Sequence, residues 1–190
     1  MKQNILLLLL IISVISANAI ETDGYYIRQS GDTVITKIVL SKFLGEVNTL
    51  FPKVEVKDSA TGTIQKFKPG DIKGFGFIYK NEKHDFVTGN FEDKPAFFEV
   101  RRKGARLNLY TALYGTGGGQ NSYTALKCVL EKPDGSYLLL PGTESSRKTK
   151  AKLKEFFSEP EVQQLIDNSF ISRDMFENDL LKLVDSINSK

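Results

Sequence analysis

The sequence predicts an α+β protein: a curved antiparallel β-meander or half-open barrel, with short C-terminal helices packed on it. Three observations carry that reading. Short runs of alternating apolar and polar residues, bounded by turn residues, recur up to Gly142. All 15 glycines lie at or before Gly142, and the 48 residues after it contain none. Beyond Arg147 the apolar residues take the i, i+3, i+4 spacing of a helix face instead. An antiparallel sheet followed by helices is stable when the helices cover one of its faces or ends.

The first segment stands outside that fold. Lys2 precedes the apolar run 5–12, and Ala17-Asn18-Ala19 places small residues at cleavage spacing, so residues 1–19 are expected to be a secretory signal peptide. Counted generously from Ile5 to Ile15, the apolar stretch is well short of the roughly 20 residues that cross a bilayer. No Cys follows it, so the lipid-bearing Cys of a bacterial lipoprotein is missing. The expected product, residues 20–190, is exported as a single domain with no transmembrane segment: 20–142 form its antiparallel part and 147–190 its helical tail. Its place is the periplasm, the outer envelope or the medium. Without Lys2, 25 basic residues face 23 acidic ones, a net charge of +2, which is too balanced to imply nucleic acid.

The strands follow from their turns. Ser30-Gly31-Asp32 links 25–28 with 34–40, and residues 58–62 link 53–57 with 63–68. Lys103-Gly104 joins 97–102 to 106–114. Lys132-Pro133-Asp134-Gly135 joins 123–131 to 136–140 and is the clearest turn, because Pro presets the dihedral and Gly takes the left-handed position after it. About ten strands result, paired as consecutive hairpins. Nine of the 13 Phe and all seven Tyr fall in this part, so its buried faces are aromatic-rich. Phe75 and Phe77 share a face, and Leu107, Leu109 and Leu113 lie opposite Tyr110 and Tyr114. Burial of such faces, at about 25 cal/mol per Å², offsets the entropy of ordering the chain.

Three short helices complete the expected fold. Their stripes are Leu153, Phe156 and Phe157; then Val162, Leu165 and Ile166; then Phe176, Leu180, Leu183, Val184 and Ile187. Ser158 with Glu161 reads as a capping box for the second helix, with Pro160 in its first turn. Ser172 with Asp174 reads as the start of the third. Helices this short need the sheet or one another to persist in water.

The residue inventory excludes much chemistry. One histidine, His84, removes His-rich zinc sites and every two-histidine mechanism. The sequence Lys80-Asn81-Glu82-Lys83-His84-Asp85 places it in a solvated turn. One cysteine, Cys128, allows no internal disulfide, and its alternation with Leu126 and Leu130 makes it a buried hydrophobe. No Gly-X-Ser-X-Gly elbow occurs. Gly115 to Gln120 contains Gly117, Gly118 and Gly119 but lacks the Gly-Lys-Ser/Thr ending and following helix of a phosphate cradle, so it reads as a hairpin loop. Asp71, Glu92 and Asp93 lie near aromatics. Two basic clusters remain: Arg101, Arg102, Lys103 and Arg106 around the Lys-Gly turn, and Arg147, Lys148, Lys150, Lys152 and Lys154 entering the first helix. From them Arg101, Arg102, Lys103, Arg106, Lys148 and Lys150 are the candidate binding residues. The reading is a non-catalytic envelope protein that needs no cofactor and binds another protein, a glycan or a lipid. The alternative is a small secreted hydrolase using His84 or Cys128.

Several short motifs add a resemblance. Gly24-Tyr25-Tyr26-Ile27 with Gly31-Asp32-Thr33, then Phe67-Lys68-Pro69 with Asp71-Ile72-Lys73-Gly74-Phe75, and Phe156-Phe157 with Pro160, are similar to segments of uncharacterised secreted proteins of Bacteroidota-type bacteria. The resemblance spans most of the chain after the leader. It implies an exported envelope protein of β-rich fold with a helical tail and assigns no catalytic residue. Tails of that kind carry a Cys before the Pro, where this chain has Glu159.

Overall fold

The computed structural model describes residues 19–41, 52–91, 95–116 and 123–190. The leader up to Asn18, the acidic pair Glu92 and Asp93, and loop residues 117–122 lie outside them. The chain divides into two compact units, Met1–Thr88 and Gly89–Lys190.

The first unit carries β1 (Ala19–Arg28), β2 (Thr33–Ser41), β3 (Val54–Lys57), β4 (Ile64–Phe67), β5 (Ile72–Tyr79) and β6 (Glu82–Gly89). Its strands order as β6-β5-β1-β2-β3-β4, with every pair antiparallel. The Ser30-Gly31-Asp32 turn closes as expected: the Gly31 N–H donates to Arg28 O at 2.9 Å. One connection departs from a plain meander, because β5 pairs with β1 and not with β4. Only residues 68–71 join β4 to β5, held by the Lys68 N–H donating to the Asp71 carboxylate at 2.7 Å. Asp71 is thereby a turn residue. That link reaches at most about 18 Å, whereas four strand spacings of a flat sheet need about 19 Å, so the sheet curls. The Tyr26 and Phe67 rings, on β1 and β4, accordingly meet at 5.0 Å. Inside the curl lie Ile38, Leu40, Val54, Val56, Phe75, Phe77 and Phe86, all buried. Register explains the set: Tyr26 stands opposite Phe75, Phe75 opposite Phe86, and Ile38 opposite Val56.

The second unit carries β7 (Ala96–Arg102), β8 (Asn108–Thr116), β9 (Tyr123–Glu131) and β10 (Tyr137–Pro141), in the order β10-β9-β8-β7. Three helices follow: α1 (Ser146–Phe156), α2 (Pro160–Asn168) and α3 (Phe176–Asn188). In both units the strand order is open and does not close into a barrel. One face of the second sheet presents Leu109, Cys128, Leu130 and Leu140, which form a continuous core with Leu153, Phe157, Val162, Ile166, Leu180 and Val184 of the tail. The expected helices therefore do pack on the sheet. The other face is aromatic: Phe91 meets Phe98 at 5.0 Å, Tyr137 at 5.1 Å and Tyr110 at 5.7 Å. No helix among the described residues is long and apolar enough to cross a membrane.

The helix starts correct two expectations. The N-cap of α2 is Glu159, not Ser158, because a residue before proline is confined to extended backbone and Pro160 occupies the first helical position. Glu161 has no capping role and points its carboxylate to Arg106. The third helix begins at Phe176 with Met175 as its N-cap, so the Ser172–Asp174 start lies one turn ahead of it. Ser172 still organises its start: its N–H and hydroxyl donate to Asp179 Oδ2 at 2.9 and 3.1 Å, and its Oγ accepts from the Met175 N–H at 3.0 Å. The Ser172 N–H, joined by its hydroxyl and by Lys182, outweighs burial and holds the Asp179 carboxyl below the usual carboxylate range.

Candidate functional site

The β7–β8 hairpin end bears the first basic cluster, and the tail meets it there. Asn188, the last residue of α3, makes three hydrogen bonds to the chain entering β8. Its Oδ1 accepts from the Arg106 and Leu107 N–H groups at 3.1 and 2.9 Å, and its Nδ2 donates to Leu107 O at 2.9 Å. The amide lies directly on Gly104, where any side chain would begin 2.1 Å from Asn188 Nδ2, so this turn requires glycine for close approach.

Two of the four hairpin cations are spent on the tail, and a third reaches it through one long contact. The Arg102 guanidinium grips Asp185 with two contacts of 2.6 and 2.8 Å. Arg101 pairs with Glu99 at 3.1 Å and with Glu177 of α3. Burial works against its charge, but Glu177 and Glu99 outweigh it and hold the guanidinium above its ordinary value. Arg106 makes one long contact, 3.4 Å, to Glu161. Lys103 is exposed and makes no ion pair with another described residue. In the second cluster Lys148 is likewise exposed, while Lys150 donates to Asp167 O at 3.1 Å, Lys152 pairs with Glu144 and Lys154 with Asp167. The structure thus gathers Arg101, Arg102 and Arg106 at one end of the second unit, mostly as fasteners for α2 and α3. It does not bring Lys148 and Lys150 into that group.

Beside Arg106 a pocket of about 290 Å³ opens between the hairpin end, the β9–β10 turn and the helices. Its polar members are Arg106, Lys132, Asp134 and Glu159, and Phe157, Val162 and Ile187 lie beneath them. Two of these groups have internal duties. Lys132 Nζ donates to Phe156 O at 2.7 Å, capping α1, and lies over the Phe156 ring at 4.3 Å. Asp134 Oδ1 accepts from the Ser136 N–H at 2.8 Å within the turn. Glu159 differs. It is the N-cap of α2 but its side chain makes no capping bond, the helix N–H groups of Val162 and Gln163 donating instead to its backbone oxygen at 3.0 Å. Its Oε2 is shut off from solvent without a hydrogen-bond partner. Sequence reasoning passed over Glu159, Lys132 and Asn188. The signal for Glu159 was present in Glu-Pro before an apolar stripe; the other two act only through distant partners.

A wider cleft of about 540 Å³ flanks the start of α3, beside Gly142 and Met175. Arg173, Asp174 and Glu177 line it, and the two carboxylates oppose the anion binding that a helix N-terminus favours.

The residues of the hydrolase alternative are placed as follows. The solvated-turn reading of His84 is corrected: the turn is Lys80-Asn81, whose φ values of 51° and 63° begin β6 at Glu82. Strand alternation then sets His84 opposite Phe77, 8 % exposed, with its ring stacked on Phe77 at 5.1 Å. Cys128, in β9 of the second unit, is fully buried, and burial, joined by the Glu177 carboxylate, pushes its thiol well above the usual range. A thiol in that state is not a nucleophile. Among the described residues no group of three His, Cys, Asp or Glu side chains is placed to hold a metal ion. Compared with protein families, curated proteins and solved structures, the chain matches none of them.

Proposed function

We propose that the protein is an exported, non-catalytic binding module of the cell envelope, and that the pocket between Arg106 and Glu159 is its ligand site. The leader supports export. The observation that carries the binding role is the pocket itself, lined by Arg106 and Glu159 over apolar carbon, in which the Arg106 guanidinium has a single long partner. The burial of Cys128 favours binding over turnover. Arg101 and Arg102 tie α3, which supplies Ile187 to the pocket, through Glu177 and Asp185.

The test has two arms. Fractionation with N-terminal sequencing is expected to find the chain in the envelope or medium, beginning at Ile20; an intact leader on cytoplasmic protein would remove export. Purified protein assayed on ester, peptide, phosphodiester and glycoside substrates is expected to show no turnover. Hydrolysis that disappears in Cys128→Ala or His84→Ala would replace the binding reading with the hydrolase.

A further inference from the structure

We infer that β10 is an open sheet edge at which two copies of this chain pair, antiparallel and centred on Leu138. Among the described strands β4 and β10 each have a neighbour on one side only. A row of unpaired N–H and C=O groups invites another strand, and edges are normally guarded by charge or proline. β4 carries Lys66. β10 reads Tyr137-Leu138-Leu139-Leu140-Pro141, with no charge and with proline only at its end. Register decides which of its groups are open. The Lys132 N–H donates to Ser136 O at 2.9 Å and the Gly142 N–H to Leu126 O at 2.8 Å, and the β9–β10 register runs unbroken between those contacts. Hydrogen-bonded pairs alternate along an antiparallel ladder, so Leu138 and Leu140 turn their backbone groups to β9, while Tyr137, Leu139 and Pro141 turn theirs outward. Pro141 has no N–H, and its oxygen accepts from the Glu144 N–H at 3.1 Å. The open edge is therefore the backbone of Tyr137 and Leu139.

That edge is complementary to itself. With Leu138 opposite its counterpart, Tyr137 of each copy faces Leu139 of the other, and both pairs exchange their N–H and C=O groups. Centring on Leu139 instead would set Tyr137 against Pro141, which has no N–H to give. Charge favours a second copy over a foreign strand. Asp134 lies in the turn before β10, and the exposed Arg147 and Lys148, which make no ion pair with another described residue, open α1 just beyond it. Antiparallel self-pairing runs the turn of one copy alongside the chain leaving β10 in the other, so unlike charges meet at both ends. A parallel arrangement would set like against like. Lys132 and Glu144, engaged with Phe156 O and Lys152, stand at the same two ends with the same opposition of sign.

Sedimentation of the full mature chain from micromolar to millimolar concentration is expected to show a reversible monomer–dimer equilibrium. Leu139→Pro removes an outward N–H and no bond to β9, and is expected to weaken the dimer about tenfold or more. Leu139→Ala keeps that N–H and is expected to weaken it less. Melting temperatures check that both variants fold. Arg147→Glu combined with Lys148→Glu, a surface change, is expected to weaken the dimer by setting acid against Asp134, and more so at low salt. Leu138→Cys is expected to give a disulfide-linked dimer in air, because directly opposed residues of a non-hydrogen-bonded pair stand about 4.5 Å apart, within disulfide reach. Tyr137→Cys, opposite Leu139 and not itself, is expected to cross-link far less. Cys128 is buried and takes no part. A monomer at every concentration with no cross-link at position 138, or a dimer indifferent to these variants, overturns the inference. So does a chain that stays monomeric while a different envelope protein cross-links at position 138, which would give the edge to another occupant.

Discussion

The first unit keeps Phe75, Phe77 and Phe86 dry with strands alone among its described residues, whereas the second needs three helices to cover Leu109, Leu130 and Leu140. The difference lies in how far each sheet turns on itself. In the first, the four-residue return from β4 to β5 draws the strands into a curl whose inside is its core. In the second, consecutive hairpins leave one face open, and the cover arrives last in the chain. The two solutions distribute their polar fasteners accordingly. The second unit ties residues some eighty positions apart, Asn188 to Leu107 and Arg102 to Asp185. The first uses cross-strand contacts, among them the Tyr25 hydroxyl donating to Asp85 at 2.8 Å across Gly76, whose missing side chain lets the ring lie flat.

Removing the cover is the strongest test of this contrast. Deletion of residues 151–190 is expected to expose Leu107, Leu109, Leu130 and Leu140 and to give an aggregating protein that binds hydrophobic dyes, read by size exclusion and thermal melting. A monodisperse product with an unchanged melting transition would mean that the helices pack only on one another. Next in size is the fastener. Asn188→Ala leaves two buried-side N–H groups and one carbonyl unpaired and is expected to cost about 2–3 kcal/mol in urea unfolding. A change within error would place the grip on α3 in its apolar stripe alone.

Two smaller changes set the units apart by pH. The Asp179 carboxyl is held low in the folded state, so its contribution is complete above the ordinary carboxylate value of about 3.9 and is lost as pH falls through the lowered one. Asp179→Asn is expected to cost about 1–2 kcal/mol at neutral pH, and its deficit should shrink in acid; a deficit independent of pH would sink the ion's role. In the first unit burial, followed by the bond to Asp85, pushes the Tyr25 phenol up to about 12. Its contribution is complete below the ordinary value of about 10 and fades as pH rises toward 12. Tyr25→Phe is expected to cost about 1 kcal/mol and to remove one late-titrating phenolate from the ultraviolet titration. A phenol titrating near 10 in the native protein would show the ring free of Asp85.

Much of the fold was legible because its signals are local. The Gly31 and Gly135 turns, the alternation of Leu107 with Leu109 and the stripes of the three helices each follow from neighbours within a few residues. Part of the candidate site was legible in the same way, since the hairpin placed Arg101, Arg102 and Arg106 together. What those charges meet was not, for Glu177, Asp185 and Glu161 come from helices some fifty-five to eighty-three positions away. His84 was misplaced by a single fact of backbone geometry, the left-handed Lys80-Asn81 turn, which fixes the parity of β6. By itself the sequence determined the α+β composition, the hairpins and the helix faces, because dihedral preference and side-chain periodicity act over one or two turns. Only the tertiary structure decided that β5 returns to β1, that the arginines fasten the tail and that Glu159 Oε2 is buried without a partner, because pairing, burial and desolvation depend on groups that only folding brings into reach.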